Sequence, residues 1–132
     1  KNFIVNFDQD SNSKKITKSI EIVYGLRNFI GNANKFSSKN IFISLKSDNE
    51  LTQVIIEDDG EGYPNDIISK IGEPYLRGSY KKDKTKSGLG LGIFIGKTLL
   101  EKNFASINCR NSETRGGAEV IIKWKNKDLI NI

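Results

Sequence analysis

Apolar residues recur at spacings of three and four across residues 14–37, which predicts a helix. On a wheel with Asn28 at the origin, Ile22, Val23, Leu26, Phe29, Ile30 and Ala33 fall between roughly 100° and 220° and form the expected core face. Tyr24, Asn28, Asn32 and Lys35 share the opposite, polar-tipped stripe. Ahead of this helix, residues 2–7 alternate as an edge strand does, and residues 8–13 form a polar turn. Residues 41–46 and 51–57 read as two strands joined by the turn 47–50, a hairpin. Pro64 opens a short helix to about residue 71, a placement that suits a residue lacking an N–H. Residues 73–87 have little apolar content and no period, so a long lid-like loop is expected there. A second amphipathic helix over 89–103, paired strands at 105–110 and 118–124 around Gly116-Gly117, and a tail from 125 to 132 complete the pattern.

Composition narrows the chemistry. With 132 residues the chain has the length of one domain. With no His and a single Cys, no disulfide, histidine metal cluster or Ser-His-Asp relay can be assembled, so carboxylates, amides, lysines and glycine backbones must carry the function. Cys109, in a predicted strand, reads as a small buried hydrophobe. A mean hydropathy of −0.45 and the absence of a long apolar run lead us to expect a cytoplasmic domain without membrane contact. A chain that has no Met and opens at Lys1 is expected to be a piece of a longer protein. The net charge of +5 is mostly local, because Arg77, Lys81, Lys82, Lys84 and Lys86 face only Asp83 within ten residues. No aromatic ladder, helix-turn-helix spacing or RNA-binding signature accompanies it, and nucleic acid is not expected as a partner.

Three separated features can converge on one ligand. Asn28, Asn32 and Lys35 offer amide oxygens suited to a hard cation such as Mg²⁺ and a point charge suited to phosphate, although a solvated helix face reads the same way. The run from Glu57 to Gly62 places Asp58 at a strand end, where a carboxylate can accept from an exocyclic amine. Gly60 and Gly62 leave room beside a flat ring; a hairpin turn with surplus acid is the plainer alternative. A calcium loop does not fit, since the alternating Asp spacing and closing Glu are missing. Ser87 to Gly92 runs into a helix, and its glycines free N–H groups toward phosphate at the positive end of the helix dipole, unless they form only a hinge. Gly96-Lys97-Thr98 is not a P-loop, because Leu91 stands where that pattern needs Gly, and no GxGxxG spacing is present.

The order of these features resembles the ATP-binding domain of the GHKL superfamily, and within it the catalytic domain of bacterial sensor histidine kinases. Residues 28–36 are similar to the family's N box, 58–64 to its first glycine box, 73–75 to its F box and 88–92 to its second glycine box. The runs 72–75 and 88–101 are similar to redox-responsive kinases of the RegB and PrrB type. The resemblance implies a two-layer α/β sandwich, with a mixed, mostly antiparallel sheet covered on one face by helices. It implies ATP and Mg²⁺ as ligands, with Asn28, Asn32 and Lys35 as the catalytic set. Asn32 would hold the metal, Lys35 the phosphates, Phe36 the adenine face and Asp58 the adenine amine, with Gly60, Gly62 and Tyr63 beside the ring. Gly88, Leu89, Gly90, Leu91 and Gly92 would hold the triphosphate, and Tyr75 and Arg77 belong to the closing lid. Asn28 stands where hydrolytic members such as gyrase carry a water-activating Glu, which favours transfer over hydrolysis. Tyr24, Tyr63 and Ala118 depart from the usual His or Glu, aliphatic and Thr. The implied partners are a separate dimerisation domain bearing the acceptor histidine, and a response regulator. The alternatives are a nucleotide-gated interaction module and an anti-sigma-type serine kinase, which more often carries Glu at position 28.

Overall fold

The computed structural model describes residues 2–7, 20–64, 68 and 89–129. In chain order the elements are β1 (Asn2–Phe7), α1 (Ile20–Phe36), β2 (Asn40–Ser47), β3 (Leu51–Asp58), α2 (Leu89–Lys102), β4 (Ser106–Asn111), β5 (Ala118–Lys125) and α3 (Asn126–Leu129). The expected loop 73–87 lies outside the described residues, as does the helix from Pro64 apart from Ile68, whose N–H donates to the Pro64 carbonyl at 3.2 Å.

The strands form one five-stranded sheet in the order β1-β2-β3-β5-β4. Among the described strands only the β1–β2 pair is parallel, so the sheet is mixed and mostly antiparallel, as expected. Alternation sorts its faces: Thr52, Ile56 and Asp58 of β3 are buried, as are Val120, Ile122 and Trp124 of β5. The register pairs Thr52 with Trp124, Val54 with Ile122 and Ile56 with Val120, giving continuous apolar rows under the helices. Among the described residues Trp124, Phe29, Ile41, Ile56, Ile93, Leu100 and Ile122 are the largest fully buried side chains, each contributing about 1.5–3 kcal/mol by leaving water. The two layers interlock through Phe29 of α1 and Ile93 and Leu100 of α2.

Two expectations need correction. Val23, placed on the core face, is 48% exposed, whereas Gly25 is buried. Gly25 falls at about 60° on the same wheel, so the buried face is rotated toward the amide stripe to accept α2. A glycine carries no apolar signal, which is why the periodicity missed this side. The tail is also not featureless: α3 forms one turn that buries Leu129. Asn126 fastens it by donating from its backbone to the Glu50 carbonyl at 2.8 Å and from Nδ2 to the Asp48 carbonyl at 2.7 Å.

After α2 the chain reverses with Phe104 at φ 73°. The Ala105 N–H donates to the Leu100 carbonyl at 3.0 Å, closing the helix as a left-handed C-terminal residue does. An exposed Phe in that conformation costs about 1–2 kcal/mol. The indole Nε1–H of Trp124 donates to the Asn103 carbonyl at 3.1 Å and holds the corner on the core.

Candidate nucleotide site

The segment just after β3, α1 and α2 are linked in turn: Gly60 abuts the Phe36 carbonyl at the C-terminal end of α1, and α1 packs along α2. What sets the last two against each other is a crossing built on glycines. A Cβ on Gly25 would lie 2.7 Å from Leu100 Cγ and 3.2 Å from the Gly96 carbonyl oxygen. A Cβ on Gly96 would lie 2.9 Å from Phe29 Cε2 and 3.1 Å from the Gly25 carbonyl oxygen. Each glycine costs a helix interior roughly 1 kcal/mol relative to Ala, and the close approach is what that cost secures. An ion pair of 2.9 Å between Glu21 and Lys102 lies at the far end of the same antiparallel pair.

This crossing brings Gly92, in the first turn of α2, beside Asn28 of the amide stripe. A Cβ on Gly92 would approach Asn28 Oδ1 at 3.9 Å, so that oxygen faces the helix start. The Asn28 Nδ2 donates to the Tyr24 carbonyl at 2.8 Å, which fixes the amide's orientation. Asn32 is half-buried one turn further on, and Lys35 is exposed with its Nζ 5.7 Å from the Phe36 ring centroid. Phe36 packs part-buried against the core.

Asp58 is 3% exposed at the end of β3, and its Oδ1 accepts from the Gly60 N–H at 2.9 Å and the Ala118 N–H at 3.3 Å. The period of two puts Asp58 on the helix-covered face and turns Glu57 and Asp59 away from it. Glu57 accepts from the Ser112 hydroxyl at 2.7 Å. Asp59 accepts from the N–H groups of Ser38, Lys39 and Asn40 at 2.9, 3.0 and 3.0 Å, fastening the chain between α1 and β2. The three acids in a row thus do different work, and only Asp58 faces the site.

Gly60 and Gly62 answer first to the protein's own packing. A Cβ on Gly60 would fall 2.1 Å from the Phe36 carbonyl oxygen, and Gly62 has φ +79° with Asn111 Oδ1 2.7 Å from its would-be Cβ. Tyr63 is 5% exposed, so its ring belongs to the core. Its hydroxyl lies beside Cys109, where burial pushes the thiol up to about 11 and keeps it protonated, as suits a small hydrophobe. Gly88, Tyr75 and Arg77 lie outside the described residues. Sequence reasoning passed over Gly25, Gly96, Asp59 and Asn111. For Gly25 and Gly96, glycines inside otherwise regular helices were the available signal.

Partial desolvation raises the Asp59 carboxyl, but the Lys39, Asn40 and Ser38 N–H groups outweigh it and hold its pKa below the ordinary value. A depressed folded pKa means stability present above the unfolded value of about 3.9 and lost as pH falls through the folded one. Asp59→Asn should therefore be less stable than wild type near neutrality, and the gap should narrow on acidification below about pH 4. Urea midpoints of the two proteins measured from pH 7 to pH 3 check this, and a constant gap would exclude it.

A cavity of about 430 Å³ lined by Asn49, Glu50, Leu51, Lys125 and Lys127 lies at the opposite end of β3 and shares no residue with this site. Among the described residues no cluster of three or more His, Cys, Asp or Glu side chains is placed to hold a metal. None of their helices is long and apolar enough to cross a membrane.

With this geometry, comparison with known proteins is direct. Residues 17–128 match the family described as histidine kinase-, DNA gyrase B-, and HSP90-like ATPase. The chain belongs to that family. Among curated proteins it is 37% identical over 109 residues to the sensor histidine kinase RegB of Cereibacter sphaeroides, covering 78% of this chain and 23% of that protein. It is 30% identical over 99 residues to the sensor protein RstB of Escherichia coli, covering 75% of this chain and 23% of RstB. The chain thus spans about a quarter of the length of these relatives. Among solved structures, the mycobacterial sensor histidine kinase MprB superposes with a TM-score of 0.73 at 21% identity, covering 93% of this chain and 82% of that one. The ATP-binding domain of PrrB from Mycobacterium tuberculosis gives 0.67 at 18% identity, covering 93% and 79%. At those identities the superpositions establish the fold, an ATPase-domain α/β sandwich. Family membership makes this an ATP-binding domain.

Proposed function

We propose that this chain is the catalytic domain of a sensor histidine kinase, which moves the γ-phosphoryl group of ATP to a histidine on a separate dimerisation domain. The observation that carries the reading is Asp58: a buried carboxylate at the C-terminal end of β3, oriented by two N–H groups on one oxygen. A buried carboxylate that accepts hydrogen bonds suits the exocyclic amine of adenine. Lys35 would meet the phosphates, and the first-turn N–H groups of α2, around Gly90 and Gly92, would face them with the positive end of the helix dipole. The side-chain oxygens of Asn28 and Asn32 are hard donors that would hold a phosphate-bound Mg²⁺. Bound there, Mg²⁺ would supply charge neutralisation on the phosphates.

Asn28 separates transfer from hydrolysis. Its amide has no basic nitrogen, and its Nδ2 is committed to the Tyr24 carbonyl, so it orients rather than deprotonates. Water beside it is not activated, and the nucleophile must come from a partner. In the transfer, an imidazole nitrogen of the acceptor forms a P–N bond, the bond from Pγ to the β–γ bridging oxygen breaks, and ADP leaves. The chain has no His, so the acceptor belongs to another domain, and a response regulator would take the phosphoryl group from there.

The test is incubation with γ-labelled Mg-ATP and the histidine-bearing helical domain of the full-length protein. Acid-labile, base-stable label on that domain is expected. Nucleotide binding without label transfer would instead support a nucleotide-gated interaction module, and acid-stable label would support a serine kinase.

A further inference from the structure

The segment that follows Asp58 is held at its far end by a residue outside all four sequence boxes. Asn111, the last residue of β4, accepts from the Tyr63 N–H through Oδ1 at 2.6 Å and donates from Nδ2 to the Tyr63 carbonyl at 3.0 Å. A side-chain amide here makes the reciprocal pair of bonds that a neighbouring strand would make with its backbone. The pairing is close enough to dictate its neighbour: a Cβ on Gly62 would sit 2.7 Å from Asn111 Oδ1, and Gly62 takes φ +79°. Two residues earlier on the same face of β4, Cys109 lies beside the Tyr63 hydroxyl, so ring and backbone of Tyr63 are both docked on β4.

The loop from Asp59 to Tyr63 is therefore clamped from three sides. Asp58 holds the Gly60 N–H, Asp59 holds the turn after α1, and Asn111 holds Tyr63. The last clamp reaches across from β4, an edge strand of the sheet, to the residue just before Pro64.

We infer that Asn111 is a positioning residue for nucleotide binding: by gripping the Tyr63 backbone from β4, it fixes the Gly60–Gly62 loop at the distance from Asp58 that an adenine ring requires. The inference rests on the proposed adenine site. Its action is through the loop and not through contact with the nucleotide, so it should affect every adenine nucleotide alike and leave the phosphate contacts unchanged.

Titration calorimetry of Mg-ATP and Mg-ADP on wild type, Asn111→Ala, Asn111→Asp and Asn103→Ala tests it, at a temperature well below each unfolding transition. Asn103 supplies a matched control, because its Nδ2 also donates to a backbone carbonyl, that of Leu99 at 2.9 Å, on the other side of the core. Asn111→Ala should raise Kd about tenfold for both nucleotides, the size expected when two neutral hydrogen bonds holding a binding loop are lost. Asn111→Asp keeps an acceptor for the Tyr63 N–H but sets its second oxygen against the Tyr63 carbonyl, so a loss of about tenfold is expected there too, and it carries the test if the alanine variant does not fold. Hydrogen exchange at the Tyr63 amide should quicken in Asn111→Ala and stay protected in Asn111→Asp. Asn103→Ala should lower the unfolding midpoint and leave Kd unchanged. Wild-type affinity in a folded Asn111→Ala, or an equal loss in Asn103→Ala, overturns the positioning role alone. A wild-type chain that binds neither nucleotide overturns the adenine site and this inference with it.

Discussion

Asp58→Asn is expected to weaken ATP binding about ten- to a hundredfold while leaving the fold intact, since a charge-assisted hydrogen bond is worth roughly 1.5–3 kcal/mol. The fold should survive because the amide oxygen can take over what Oδ1 does now, accepting from the Gly60 and Ala118 N–H groups. That choice forces the amide nitrogen into the place of the other carboxylate oxygen. There it meets the adenine amine donor to donor, so the variant replaces an attraction with a repulsion. Guanine presents a carbonyl at the corresponding position, so GTP should gain relative to ATP and the preference of the wild type should collapse. Calorimetric affinities for both nucleotides, with an unfolding curve for each protein, decide it. A folded variant that keeps wild-type affinity for ATP would remove Asp58 from the site.

The burial of Asp58 agrees with strand alternation, a strong local signal, while its adenine role was implied by the family resemblance. Thr52, Val54, Ile56 and Asp58 share one parity, and three of those four residues are visibly suited to a covered face. The strand boundaries were legible for the same reason, and the start of α2 from glycines running into an amphipathic helix. What stayed hidden depends on partners distant in sequence. Asp59 looked like surplus charge, yet it collects N–H groups some twenty residues earlier. Asn111 is one of fourteen asparagines, and nothing local marks it as the partner of Tyr63 forty-eight residues away. Val23 and Gly25 exchanged places because a hydrophobic wheel weighs side chains, while a helix crossing is decided by where side chains are absent. Leu129 escaped because a four-residue helix is too short to show a period.

Gly117→Ala should be among the most damaging single methyl additions in this chain. A Cβ there would lie 2.1 Å from Asp58 Oδ1, 2.4 Å from the Asp58 carbonyl oxygen and 2.7 Å from its carbonyl carbon. Two of those three atoms are backbone in the sheet, so no rotamer change relieves the overlap. Relief requires β5 to move from β3 at the point where Ala118 meets Asp58, which breaks the bond from the Ala118 N–H and unseats the carboxylate. The neighbouring position provides the contrast. Gly116 has φ +86° and nothing within 4 Å of a would-be Cβ, so Gly116→Ala incurs only the strain of a left-handed Ala, about 1 kcal/mol. For Gly117→Ala a loss of about 3–5 kcal/mol is expected, a large share of the roughly 5–15 kcal/mol that holds a domain together. Urea unfolding of the two variants should show Gly116→Ala close to wild type with nucleotide binding retained, because its methyl points into open space away from Asp58. Gly117→Ala should unfold at much lower denaturant and bind no ATP even where it is still folded. If the two variants proved equally stable, the contact between Gly117 and Asp58 would not be what orients the carboxylate, and the tight closure of β5 on β3 would have to be explained by the backbone ladder alone.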